Sequence, residues 1–118
     1  MRDRASAFSH ENETARPYYY SVDLERYRAR IELTPTERCS MMRFTFSDPS
    51  EAAIVFHAEG EINGDFGTSK QKIRGKATHV TFGAPGGFGK YFVAEFEHPF
   101  ESVEIKRDGK VATALPMP

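Results

Sequence analysis

Tryptophan is absent from these 118 residues and cysteine occurs once, at Cys39. A single thiol closes no intrachain disulfide, so the framework of a small disulfide-stapled domain is excluded, and Cys39 is expected to be plain core filling. No apolar run approaches the roughly 20 residues that a membrane-crossing helix needs, and no stretch carries the 3.6-residue period of an amphipathic helix of usable length. Charges open the N-terminus from Met1 to Phe8 without an apolar stretch behind them, so no export signal is expected in this chain and its compartment stays open. An excess of one charge is missing too: 16 Lys and Arg nearly cancel 17 Asp and Glu. That balance speaks against a nucleic-acid or anionic-membrane partner, since both need a basic footprint.

What the chain does have is ten Phe, five Tyr and many short alternating runs. Its length supports one domain over residues 1–118, with flexible ends expected at 1–7 and 115–118. Tyr20, Val22 and Leu24 alternate with Ser21, Asp23 and Glu25, and Ala29, Ile31 and Leu33 alternate with Arg30, Glu32 and Thr34. Two such runs joined through Arg26-Tyr27-Arg28 read as a hairpin. Thr36 to Phe46 supplies a third strand, with Met42, Phe44 and Phe46 on one face, and Ser47-Asp48-Pro49-Ser50 turns the chain. Ala52 to Ala58 reads as a fourth strand with both faces covered. A polar loop is expected from Glu59 to Ser69, and a less regular strand from Ile73 to Phe82, where Gly75 could mark a bulge. The glycine-rich segment from Gly83 to Gly89 must be loop, Tyr91 to Phe96 returns to strand, and Asp108-Gly109 joins a last hairpin. About eight short strands with turn signals between them predict an all-β fold, an antiparallel β-sandwich that could be incomplete.

Three loops invite a chemical reading. Glu59 to Asp65 spaces oxygen-bearing side chains like the first half of a calcium loop, but Lys70 stands where the bidentate carboxylate belongs and no helices flank it. Gly83 to Lys90 looks like a phosphate cradle, yet Ala84 replaces the first required glycine, Tyr91 the magnesium-binding hydroxyl, and a strand follows where a helix should. His10, His57, His79 and His98 are scattered without zinc spacing, so no metal site is expected.

The densest cluster lies between Phe8 and Tyr20. It reads as a loop entering a strand, with Pro17 barring helix at Arg16. His10, Glu11 and Glu13 could form an acid/base set. Glycoside hydrolysis, however, needs carboxyls facing each other across a bond, roughly 5 to 9.5 Å apart, and residues two apart on one loop rarely do so. No catalytic residue is therefore assigned; His10, Glu11, Asn12, Glu13, Tyr19 and Tyr20 remain candidates for substrate binding or for a domain interface. Asn12-Glu13-Thr14 also fits a glycosylation sequon, a pattern that matters only in a eukaryotic secretory context.

Phe8-Ser9-His10-Glu11-Asn12-Glu13-Thr14-Ala15, Pro17, Tyr19-Tyr20-Ser21-Val22, Ile31-Glu32-Leu33-Thr34 and Thr36-Glu37-Arg38 resemble the N-terminal domain of glycoside hydrolase family 92, mainly bacterial exo-acting α-mannosidases. The resemblance continues at Arg43-Phe44-Thr45-Phe46 and at Lys90 to Phe96. It departs at Tyr18, where the family pattern has Gly, and at Met42 and Phe44, where it has His and Tyr. The resemblance implies a β-sandwich that packs on a helical barrel, with the general acid, the general base and a calcium ion belonging to the full-length enzyme, which is usually exported. By resemblance this chain is a partial domain without that barrel, no catalytic residue carries over, and no cofactor is expected within it. Its implied partners are a mannoside, the missing catalytic domain or a second copy of the chain. Two other readings stand beside this one: a free-standing carbohydrate-binding module stacking sugars on Tyr18, Tyr19, Tyr20 or Tyr91, and a self-associating structural sandwich.

Overall fold

The computed structural model describes residues 4–57, 60–65, 71–78, 86, 89–107 and 110–116, with backbone only for 61, 63–65 and 110–116. The chain divides into two compact units, Met1–Val55 and Phe56–Pro118. All the strands described are antiparallel, and among the described residues no helical element is longer than a 3₁₀ turn of three residues. This is the all-β make-up expected of an incomplete β-sandwich.

The first unit is a meander of four strands: β1 (Thr14–Arg16), β2 (Tyr19–Leu24), β3 (Ala29–Pro35) and β4 (Ser40–Phe46), hydrogen-bonded in that order. Because side chains alternate across a strand and paired residues share a face, the register Tyr20↔Leu33, Val22↔Ile31, Leu24↔Ala29 and Ile31↔Phe44 collects the apolar residues on one side. Val22 and Ala29, 7% and 6% exposed, are its buried centre. The opposite face carries Tyr19, Ser21, Asp23, Arg30, Glu32 and Arg43. On it Arg30 donates to Asp23 at 3.1 Å and to Ser21 Oγ at 3.4 Å, which accounts for Ser21 being 1% exposed without a bare hydroxyl.

The hairpin between β2 and β3 forms as predicted, and Arg28 closes its four-residue turn at φ 45°, the left-handed region. The N-terminal segment is fastened to that turn: the Glu25 amide donates to Ala7 O, the Arg26 amide to Ser6 Oγ, and the Tyr27 hydroxyl to Arg4 O at 2.7 Å. Cys39 is exposed in the turn before β4, where its carbonyl accepts from the Thr36 amide and hydroxyl, so it fills no core. After β4, Asp48 caps a 3₁₀ turn over Pro49–Glu51 by accepting from the Ser50 amide and hydroxyl, which holds its carboxyl below its ordinary pKa.

The second unit holds β5 (Gly60–Asp65), β6 (Lys72–Ala77) and β7 (Lys90–Glu95) in one sheet, and a hairpin of β8 (Ser102–Arg107) and β9 (Lys110–Pro116) with a register shift at Ile105/Lys106. Two expectations are corrected here. Residues 52–57 form no strand, and Ile54, Val55 and Phe56 are exposed rather than covered on both faces. Strand propensity reflects fit to a pleated, half-buried surface, and Phe56 instead stacks on Phe92 at 6.3 Å and meets Phe96 edge-on at 5.9 Å. The polar loop expected over 59–69 is strand from Gly60 to Asp65, paired residue by residue with β6. Gly75 marks no bulge, since its register with Ile62 and Phe92 is unbroken. β9 continues through Leu115 and Pro116, part of the expected flexible tail. Most of the glycine-rich segment, His79 and the Asp108-Gly109 turn lie outside the described residues.

Candidate functional site

The cluster between Phe8 and Tyr20 is shorter in loop and richer in structure than its sequence suggests. Ser9 caps a 3₁₀ turn over His10–Asn12, its hydroxyl accepting from the Glu11 amide at 3.2 Å. Glu13 leaves that turn in extended conformation. β1 follows at once and pairs Ala15 with Tyr20 across the Pro17-Tyr18 turn. The cap and the two-residue turn thus bring His10, Glu13 and Tyr20 together from positions up to ten apart.

Glu13 is the hub. Its Oε2 lies 2.7 Å from His10 Nδ1 and its Oε1 accepts from the Tyr20 hydroxyl at 2.5 Å. When His10 is protonated the first contact becomes an ion pair. The Tyr20 hydroxyl, and then His10, hold the Glu13 carboxyl below its ordinary pKa, while donating that bond to Glu13 raises the Tyr20 phenol above its own. Bonding to the charged form of an acid favours that form, so Glu13 is a carboxylate with both oxygens engaged. The Glu13 side chain is 20% exposed and His10 87% exposed. Phe8 sets its ring edge-on to the imidazole at 5.3 Å. Among the described residues Nε2 of His10 has no hydrogen-bonding partner, so the cluster presents a solvent-facing imidazole whose other nitrogen is fixed by a carboxylate.

Of the six candidate residues, three converge. Glu11 and Asn12 are exposed and serve the turn through their backbone, Asn12 by donating to Ser9 O at 3.1 Å. Tyr19, one residue from Tyr20, emerges on the opposite face and donates to Glu32 Oε1 at 2.8 Å, with Arg43 3.6 Å from the other Glu32 oxygen. Sequence reasoning passed over this polar-face network, although Asp23 and Arg30, opposite charges placed across the hairpin, were its visible signal. An open depression of about 310 Å³ near the β2–β3 turn, bordered by Asp23, Arg28, Arg30 and Ser47, includes none of the six candidates. Among the described residues no three of His, Cys, Asp and Glu gather as metal ligands, and no helix is long and apolar enough to cross a membrane.

The described strands define the class, an all-β domain, and the polar cluster is fixed at the edge of its four-stranded sheet. Residues 1–115 match the glycosyl hydrolase family 92 N-terminal domain, and the chain belongs to that family. No curated protein matches the chain.

Proposed function

We propose that this chain acts as the accessory, carbohydrate-facing part of a family 92 α-mannosidase, with His10 as its contact to a terminal mannoside or to the catalytic domain that holds one. The observation that carries this reading is the state of Glu13. With one oxygen bonded to His10 and the other to Tyr20, both of its oxygens already serve neighbours within this chain. It acts as the residue that orients His10. An imidazole held at Nδ1 presents a single defined group at Nε2, which suits a sugar hydroxyl as donor or acceptor. Hydrolysis, by this reading, belongs to groups outside this chain.

The test pairs an activity assay with a binding assay. The chain alone should leave an aryl α-mannoside intact. Saturation-transfer NMR with α-1,2-mannobiose should give transfer that His10→Ala removes and Arg43→Ala, on the opposite face, leaves unchanged. Turnover by the chain alone would overturn the accessory role, and undiminished transfer in His10→Ala would overturn His10 as the contact.

A second reading has its own observation. Tyr18 is 62% and Tyr91 78% exposed, the kind of open ring on which sugars stack. For a free-standing binding module, Tyr18→Ala or Tyr91→Ala, and not His10→Ala, would remove the transfer.

A further inference from the structure

The two edges of the four-stranded sheet are built differently. β1 is three residues long, is followed directly by Pro17 and ends on Arg16, all features that blunt an edge against pairing. β4 is seven residues long, has no proline and no register shift, carries a single charge at Arg43, and exposes Met41 and Met42 at 78% and 53%. Among the described residues no strand pairs with its outer side.

The backbone phase of β4 follows from the two hydrogen bonds that flank its ladder, Thr36 N to Cys39 O at 2.7 Å and Ser47 N to Arg28 O at 3.0 Å. Hydrogen-bonded and non-hydrogen-bonded pairs alternate in an antiparallel ladder. With Thr34↔Met41, Glu32↔Arg43 and Arg30↔Thr45 in register, residues 41, 43 and 45 turn their N–H and C=O groups toward β3. Met42, Phe44 and Phe46 therefore turn theirs outward, in a row able to receive another strand.

We infer that β4 is a homotypic interface, pairing antiparallel with β4 of a second copy about a two-fold axis at Phe44. Two constraints favour that arrangement. A one-residue slip would carry the apolar face of one sheet onto the polar face of the other. A two-fold axis at Arg43 would set Arg43 directly opposite its own copy in a non-hydrogen-bonded pair, about 4.5 Å between Cα atoms, where like charges repel. With the axis at Phe44, the outward groups of Phe44 meet their own copies, Met42 meets Phe46 of the partner copy, and Arg43 stands beside Thr45 of the partner copy. Both apolar faces then run on as one surface, and the isologous contact closes as a dimer. This inference is independent of the carbohydrate reading.

Sedimentation velocity over a wide concentration range tests it with two variants. Met42→Pro removes only an outward N–H and leaves the ladder to β3 intact, whereas Met42→Ala trims the side chain and keeps the N–H. The full chain and Met42→Ala should sediment increasingly as dimer with concentration, while Met42→Pro stays monomeric with an unchanged far-ultraviolet circular dichroism spectrum. A monomeric full chain, open-ended association, or a Met42→Pro variant that dimerises like the full chain would overturn the proposal. A second measurement needs no proline. In a Cys39→Ser background, oxidising a mixture of Arg43→Cys and Thr45→Cys chains should give mainly the mixed disulfide, since that pair is adjacent across the axis. Homodisulfides of Arg43→Cys in excess of the mixed species would overturn the register.

Discussion

Every position on the apolar face of the four-stranded sheet carries a side chain, from Tyr20, Val22 and Leu24 through Ala29, Ile31 and Leu33 to Met42, Phe44 and Phe46. On the corresponding face of the three-stranded sheet each cross-strand row holds one glycine: Gly60↔Ala77↔Lys90, Ile62↔Gly75↔Phe92 and Gly64↔Ile73↔Ala94. Volume missing from the second sheet is supplied by rings flanking its strands. Phe56 stacks on Phe92, Phe96 meets Phe56, and Phe100 sits edge-on to Phe96 at 5.0 Å. One sheet is thus held by side chains along its strands, and the other by close backbone fit with phenyl rings placed beside it. Substitutions should hurt the two in different ways.

Gly60→Ala is expected to do the most damage. Gly60 sits at φ 141°, and a Cβ there would lie 2.1 Å from the backbone oxygen of Lys76, an atom that cannot swing away. Strain and overpacking each cost about 1–3 kcal/mol, so a loss of about 3 kcal/mol is expected. It should appear as lost hydrogen-exchange protection along β5 and β6. Protection as in the parent chain would mean that close backbone fit is not what holds the second sheet. On the first sheet the comparable change is Val22→Ala. It empties a site 7% exposed and should lower unfolding free energy by about 2 kcal/mol in urea titration. A loss well under that would show the apolar face to be less filled than its row of side chains implies.

This contrast also governs what could be read from residues alone. β2, β3 and β4 were legible because their period of two is written in side chains on both faces. β5 was not: with glycine at both positions flanking Ile62 on its face, and Glu61 and Asn63 between, the alternation carried no apolar signal and read as loop. The error at residues 52–57 is the reverse. Ile54, Val55 and Phe56 have strand composition but, among the described residues, no partner strand in register, and Phe56 is used as a ring rather than as a strand residue. At the candidate site, the chemical density of His10 to Tyr20 was visible and its division was not. Tyr19 and Tyr20 fall on opposite faces, and only the pairing of Arg16 with Tyr19 and Ala15 with Tyr20 decides which of them meets Glu13.

The Glu13 clamp on the first sheet should show itself at both ends of the pH scale. Its carboxyl is held below the ordinary value of 4.5, so between the folded pKa and that value the unfolded chain binds more protons. Stability therefore rises with pH through this window, and the contribution is lost as pH falls through the folded pKa. Tyr20 runs the other way. With its phenol held above 10.0, its contribution is complete below that pH and is lost as pH rises through the raised value. Glu13→Gln should flatten the acid limb of the stability profile, and Tyr20→Phe the alkaline limb. Tyrosinate absorbance that is present in the parent chain and lost in Tyr20→Phe should appear late in the titration. Unchanged limbs in both variants would reduce the cluster to a surface contact without energetic weight.

The smallest difference is expected between the polar faces. Asp23 and Arg30 are 41% and 45% exposed at 3.1 Å, and Lys72 and Glu95 are 40% and 68% exposed at 3.8 Å. Pairs this open to water are screened and typically contribute 0.2 to about 1 kcal/mol. What separates them is the second bond of Arg30, to the buried hydroxyl of Ser21. The Asp23 bond fixes the guanidinium over that hydroxyl, so the side-chain entropy of holding it in place is offset by two contacts instead of one. A double-mutant cycle with Asp23→Asn and Arg30→Gln should give a coupling of about 0.5 kcal/mol. The corresponding cycle with Lys72→Gln and Glu95→Gln should fall near zero. Added salt should erode the first coupling only in part, because the bond to Ser21 does not depend on a second charge. Equal couplings in the two cycles, vanishing together with salt, would show that Ser21 lends Arg30 no order and that the two polar faces are energetically alike.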